Sequence, residues 1–358
     1  MAKPFVGWGG VSPRVGLVNP ADLPRAVVRA LRCAVEGGEL GGDVAVPGRV
    51  VVERTRPGGV GEYASPVAFQ IAKAAGMRPA DVARVLARRL AAVPGIERVE
   101  VTGAGFVNFV LPPLSAPLVI RGLPGSHPRL PTEPLAVADD ARGLRERLLY
   151  GAVARILQTQ PTPGREQTQP PPGREQPQPP PGHEQAPPLR IAPIAPIARR
   201  DGDVVARFGA DAVRWAVLSV PARETPEFSP LLLVQSEDSE FFRVRYAFAR
   251  SRALLRGAAD LGFAPAPADV PDAPHLLRVL ADHPLVLEAA AHHRAPERLT
   301  RHLVELADAA LDFQYRVLPR GDEKPSAAHR ARLALAEAAG SVLAGGLALL
   351  GMDAPERL

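Results

Sequence analysis

An α+β architecture is predicted by three features. A segment of mixed helix and strand character precedes residue 112. A proline repeat runs from Pro161 to Pro187, and helical apolar periodicity continues from there to Leu358. The chain has 358 residues, 46% of them hydrophobic, which excludes disorder throughout and leaves room for two or three cores. Its net charge is +5, carried almost wholly by arginine, because lysine occurs only at Lys3, Lys73 and Lys324. An arginine excess suits phosphate or RNA, whose oxygens accept the planar guanidinium fork. The single cysteine, Cys33, excludes an internal disulfide and a cysteine-built zinc site, and is expected to be a small buried hydrophobe.

In chain order, Pro24–Val35 reads as a helix and the valine-rich Val44–Arg54 as a strand broken at Pro47 and Gly48. Ser65–Ala75 and Asp81–Val93 read as helices, the second with Val82, Val85, Leu86 and Leu90 on one face. Strands at Ile96–Thr102 and Gly105–Leu111 are separated by a turn at Gly103 and Gly105. A helix over Asp140–Leu157 leads to "PTPGREQTQ", "PPPGREQPQ" and "PPPGHEQAP", three consecutive nine-residue units. So much proline is expected to form an extended spacer between two folded parts, reaching roughly 80 Å at ~3.1 Å per residue.

Beyond the spacer, helices are expected at Ala210–Ser219, Leu231–Arg256, His283–His292, Pro296–Phe313 and Pro325–Leu350, forming an all-α bundle. In the second, Val244, Phe248 and Leu255 lie opposite Phe242, Tyr246, Ala249 and Ala253, so both sides are expected to be packed, with Tyr246 in the core. Between those faces Arg245, Arg252 and Arg256 form one basic stripe, and Arg243 and Arg250 another, suited to backbone phosphates. The longest apolar stretch, Ser341–Met352, falls short of the ~20 residues that a membrane span needs, and a soluble cytoplasmic protein with no membrane partner is expected. The expected division is residues 1–112, a connector with one helix at 113–160, a linker at 161–198 and the helical domain at 199–358.

Three stretches resemble arginyl-tRNA synthetase in the right order. "GEYASPVAFQIAKAAGMRPADVARVLARRLAAVPGIERVEVTGAGFVNFVL" is similar to its N-terminal tRNA-binding domain. "GADAVRWAVLS" with "FSPLLLVQSEDSEFFRVRYAFAR" resembles the start of its DALR-type anticodon-binding domain, and "APERLTRHLVELADAALDFQYRVL" with "ARLALAEAAGSVLAGGLALLGMDAPERL" resembles the rest. In the family a Rossmann-type catalytic domain separates the first two stretches, with an H-x-G-H turn and a lysine loop at its ATP site. None of the eight histidines lies in H-x-G-H, and no lysine occurs between Lys73 and Lys324. Arg199 and Arg200 in "ARRDGDVV" stand where the lysine loop's exit would be. No other nucleotide-binding or catalytic motif replaces these, and no cofactor is expected.

The resemblance implies that Phe106 and Asn108 of "GFVNF" stack on and hydrogen-bond an unpaired tRNA base, a mode in which aromatic faces and amides read splayed bases. The alternative is that Phe106 and Phe109 are strand core and Asn108 closes an edge. The family's anticodon-facing cluster is reduced to Phe313 and Tyr315 in "DFQYRVL". The expected function is a non-catalytic relative that binds tRNA, with tRNA-Arg the first candidate. Two rivals are a protein-interaction scaffold, in which the helical domain holds a protein and the proline repeats are a partner's ligand, and an arginine-tRNA ligase with a reduced catalytic region.

Overall fold

The computed structural model describes residues 19–41, 44–56, 58–123, 143–160, 190–198 and 201–358. The repeat units between Pro161 and Pro187, and Arg199 and Arg200, lie outside the described residues. Two compact units are present: residues 1–46 with 54–113, and residues 47–53 with 114–358.

The first unit is α+β. Helix α1 (Leu23–Glu36) follows a short 3-10 turn capped by Asn19, and Leu23, Val27, Leu31 and Ala34 recur at helical spacing on its buried face. A four-stranded sheet, in the order β1 (Glu53–Arg54), β2 (Tyr63–Ser65), β4 (Phe106–Val110), β3 (Arg98–Thr102), packs with α2 (Val67–Ala75) and α3 (Pro79–Leu90). β4 is central and antiparallel to both neighbours, pairing Asn108 with Ala64 on one side and Glu100 on the other. The β3–β4 turn needs φ of 55° at Gly103 and 143° at Gly105, and a Cβ on Gly105 would meet the Pro79 carbonyl carbon at 2.8 Å. Glycine is therefore required where that turn crosses the start of α3. Of the predicted valine-rich strand only Glu53–Arg54 is β-strand, and Val50, Val51 and Val52 before it are all buried.

The second unit is helical: α4 (Ala116–Gly122), α5 (Leu144–Gln158), α6 (Asp201–Phe208), α7 (Ala210–Leu218), α8 (Glu240–Asp260), α9 (Pro274–His293), α10 (Glu297–Phe313) and α11 (Ala327–Leu349). α9 begins nine residues before the predicted start and continues through Pro284. Burial of Leu276, Leu277, Val279 and Leu280 outweighs the ~3 kcal/mol that an interior proline costs. α8 buries Val244, Ala247, Phe248, Ser251 and Leu254 on one face, and on the opposite face Ala249 is buried while Phe242, Tyr246 and Ala253 are half-buried; Phe242 and Tyr246 stack at 5.5 Å. α11 is long and apolar enough to cross a membrane, contrary to the expectation from Ser341–Met352, yet 72% of its apolar window is buried inside the structure. It is the core helix of the bundle, packed on α8, α9 and α10.

The proline repeat does not divide the two units. Ala116 and Val119 of α4 and Leu149, Ala152 and Ile156 of α5 belong to the helical core, so the chain is already in the second unit before the repeat begins. Asp269 accepts from the Ser115 hydroxyl at 3.0 Å and the Ala116 N–H at 3.2 Å, capping α4. After the repeat, Ile191, Ile194 and Ile197 pack on the same core at a spacing of three, the repeat of a polyproline helix. Arg145, 3% exposed, holds this strap by donating to Ala195 O at 2.5 Å and Pro221 O at 3.1 Å. Ala195 N–H donates in turn to Ala222 O at 2.8 Å.

With both flanks of the repeat seated on one unit, replacing residues 161–189 by a Gly-Ser linker of equal length should leave the melting temperature within about 2 °C of the parent. Calorimetry checks this, and a larger drop would mean that the repeat contributes to the core.

Candidate nucleic-acid interface

β4 places Phe106 and Asn108 on one face of the sheet but in different environments. Phe106 is 44% exposed, whereas Asn108, on the same central strand, is 2% exposed and donates through Nδ2 to Thr102 Oγ1 at 2.6 Å. The amide expected to read a base is thus engaged within the β3–β4 hairpin, on a strand paired on both sides rather than at an edge. Phe109 and Val107 are fully buried, and they anchor the strand that carries Phe106.

Phe106 has a partner that the sequence reading missed. Phe69 of α2 is 38% exposed and lies edge-on to it, ring centroids 5.0 Å apart at 61°. Two large apolar rings left beside one another in solvent make a stacking surface. The signal was present in "VAFQIAK", where Phe69 falls outside the Val67, Ala68, Ile71, Ala72 and Ala75 stripe; a helical wheel would have shown it pointing away from the core. The exposed arginines of α1, Arg25, Arg29 and Arg32, were also missed. Cys33 is exposed, not buried as expected, because the apolar stripe of α1 passes through Leu31 and Ala34 on either side of it.

In the helical unit the arginine stripes are largely occupied by intramolecular acceptors. Arg243 donates to Asp308 at 2.9 Å and Glu237 O at 2.6 Å, and Arg250 donates to Gln314 at 2.7 Å, tying α8 to α10 and the turn after it. Arg252 and Arg256 share Glu356 at 3.1 and 3.9 Å, in pairs exposed enough that exchange for a phosphate costs little. Arg245 lies over the Phe241 ring, 5.2 Å from its centroid, with its Nε buried. Tyr315, in the 3-10 turn Gln314–Arg316, is 65% exposed, while the adjacent Phe313 is 4% exposed and fixes the turn to the core. Arg320 donates to the Tyr315 carbonyl, and Arg316 to Asp272 O at 2.6 Å. The turn therefore displays one aromatic ring among guanidinium groups, which suits a base next to its phosphate.

Residues 25–111 match the arginyl tRNA synthetase N terminal domain, and residues 244–358 match the DALR anticodon binding domain. The chain is an arginyl-tRNA synthetase relative. The Thermus thermophilus arginyl-tRNA synthetase is similar in fold, with a TM-score of 0.62 at 17% identity over 95% of this chain and 100% of that one. A putative arginyl-tRNA synthetase from Campylobacter jejuni matches at 22% identity over 44% of this chain and 36% of its own, with a TM-score of 0.38. In this synthetase relative the two matched segments flank α4, α5, the strap, α6 and α7. The sheet present among the described residues is the small four-stranded one of the first unit, and its β2–β4 and β3–β4 pairs are antiparallel, so no parallel Rossmann sheet occurs among them. Nor do those residues hold a cluster of three or more histidine, cysteine or acidic side chains able to bind a metal.

Proposed function

We propose that this arginyl-tRNA synthetase relative is a non-catalytic tRNA-binding protein, acting in the cytoplasm on translation, with tRNA-Arg the first candidate. The Phe69–Phe106 pair carries the reading: an exposed aromatic surface on the unit whose family is named for the N-terminal domain of a tRNA synthetase. Tyr315 is its counterpart on the unit whose family is named for anticodon binding. Base stacking on such rings needs neither ATP nor metal, and the missing H-x-G-H turn and lysine loop would leave adenylate formation without its usual charge stabilisation. Arginine-dependent pyrophosphate exchange should therefore be absent.

The test is a salt titration of tRNA affinity. Phe106→Ala, Phe69→Ala and Tyr315→Ala should each weaken binding by about 1–3 kcal/mol if a base stacks on that ring. Neutralising Arg252 and Arg256 should lower the log–log salt slope by up to about one unit for each phosphate that the variant no longer neutralises. Binding no tighter than that of a random RNA of equal length, unchanged in all these variants, would overturn the reading.

A second reading is favoured by the exposed run Leu231, Leu233 and Val234, which are 51%, 54% and 38% accessible. Contiguous apolar side chains in solvent mark protein-binding surfaces, as the scaffold function requires of the helical unit.

A further inference from the structure

Between α1 and α3 the first unit contains an open groove of about 520 Å³, distinct from the Phe69–Phe106 surface. Ala30 and Val93 contribute to an apolar floor, and Arg29, Arg88 and Arg89 line the groove together with the single carboxylate of Glu39. Glu39 is already shared, pairing with Arg89 at 2.5 Å and Arg88 at 3.7 Å. The Arg89 Nε–H is buried with no acceptor, and Arg88 and Arg29 are solvent-exposed. Arg88 and Arg89 lie in the last turn of α3, where the helix dipole favours cations. The dipole does not account for Arg29 on another helix or for the concavity.

We propose that this groove binds a nucleotide phosphate, the guanidinium groups taking the phosphate oxygens and the apolar floor taking the nucleoside. The volume lies in the range of ~300–1,000 Å³ usual for small-molecule sites. Three guanidinium groups against one carboxylate leave an unbalanced positive potential that selects an anion. A free mononucleotide and a nucleotide within RNA offer the same chemistry. Gly105, next to Phe106, touches Pro79 at the start of α3, and Arg88 lies nine residues further along the same helix, an axial rise of ~14 Å.

Cys33 lines the groove and is the sole cysteine, so it reports occupancy directly. The full chain is alkylated with iodoacetamide in the presence of AMP, adenosine, tRNA, or sulfate at matched ionic strength. AMP at millimolar concentration should slow alkylation about fivefold, while adenosine and sulfate should not. The Arg29→Gln/Arg88→Gln variant changes two exposed side chains, should keep its melting temperature, and should lose the protection. Protection by tRNA that the same variant abolishes assigns the nucleotide to RNA; protection by AMP alone assigns it to a free nucleotide, and survives even if the tRNA reading fails. Equal protection by adenosine, no protection by either AMP or tRNA, or protection that persists in the variant would overturn the proposal.

Discussion

The helical unit is expected to lose about 3 kcal/mol of stability between pH 6.5 and pH 4 through His283 alone. The His283 ring is 4% exposed, its Nδ1 has no hydrogen-bond partner, and it stacks on the equally buried His302 of α10 at 5.2 Å. Desolvation penalises the charged ring and pulls its pKa from 6.5 to about 4. Between those values the unfolded chain binds a proton that the folded chain refuses. The contribution is therefore complete above pH 6.5, falls by about 1.4 kcal/mol per pH unit as the solution is acidified, and levels off below pH 4. Urea midpoints measured across this range should decline more steeply in the parent than in His283→Gln, whatever offset the substitution adds at neutral pH. Parallel curves would show that His283 is protonated in the folded state or reached by water.

Two glycines of α11 should respond in opposite directions to the same substitution. A Cβ on Gly340 would collide with Ser251 Oγ and lie 2.9 Å from the Ser251 Cβ, where α11 crosses α8. Ser251 cannot turn aside without losing the bond from its hydroxyl to Ala336 O at 2.8 Å. Gly340→Ala should therefore cost about 2 kcal/mol, since overpacking and a strained buried hydrogen bond exceed the ~1 kcal/mol that alanine returns in helix propensity. Gly345 has nothing within 4 Å of its added Cβ. Gly345→Ala should stabilise by about 0.5–1 kcal/mol, the propensity gain alone. Denaturant unfolding of both variants decides the matter, and a shared sign would mean that the α8–α11 packing is looser than the structure has it.

Much of the fold was legible because periodicity is a local property. The apolar stripe of α3 and the Gly103–Gly105 turn between β3 and β4 follow from residues within one or two turns of one another, and the structure has them near the predicted bounds. The same holds for α10, whose Leu299, Leu303 and Leu306 share a face and are fully buried. The family was legible for a related reason: "GFVNF" and "LLGMDAPERL" are contiguous, so no knowledge of tertiary packing was needed to find them.

What escaped the sequence depended on side-chain contacts that only folding makes. Asn108 reads as a base-recognising amide until Thr102, across the hairpin, takes its N–H; Phe69 and Phe106 become one surface only when α2 lies beside the end of β4. The arginine stripes of α8 read as free charge, although Asp308, Gln314 and Glu356, between 64 and 104 residues away, supply their acceptors. The repeat looked like a bridge between domains, because a proline run shows that it cannot pack a core but not where its ends are held. Arg145 and three isoleucines at a spacing of three hold the end after the repeat, while burial of α5 in the helical core holds the end before it. The sequence by itself therefore determined most of the elements, the class and the family, which rest on short-range spacing. Which polar groups stay available to a ligand was decided only by tertiary structure, because a hydrogen bond or an ion pair is consumed by whichever partner folding brings within about 3 Å.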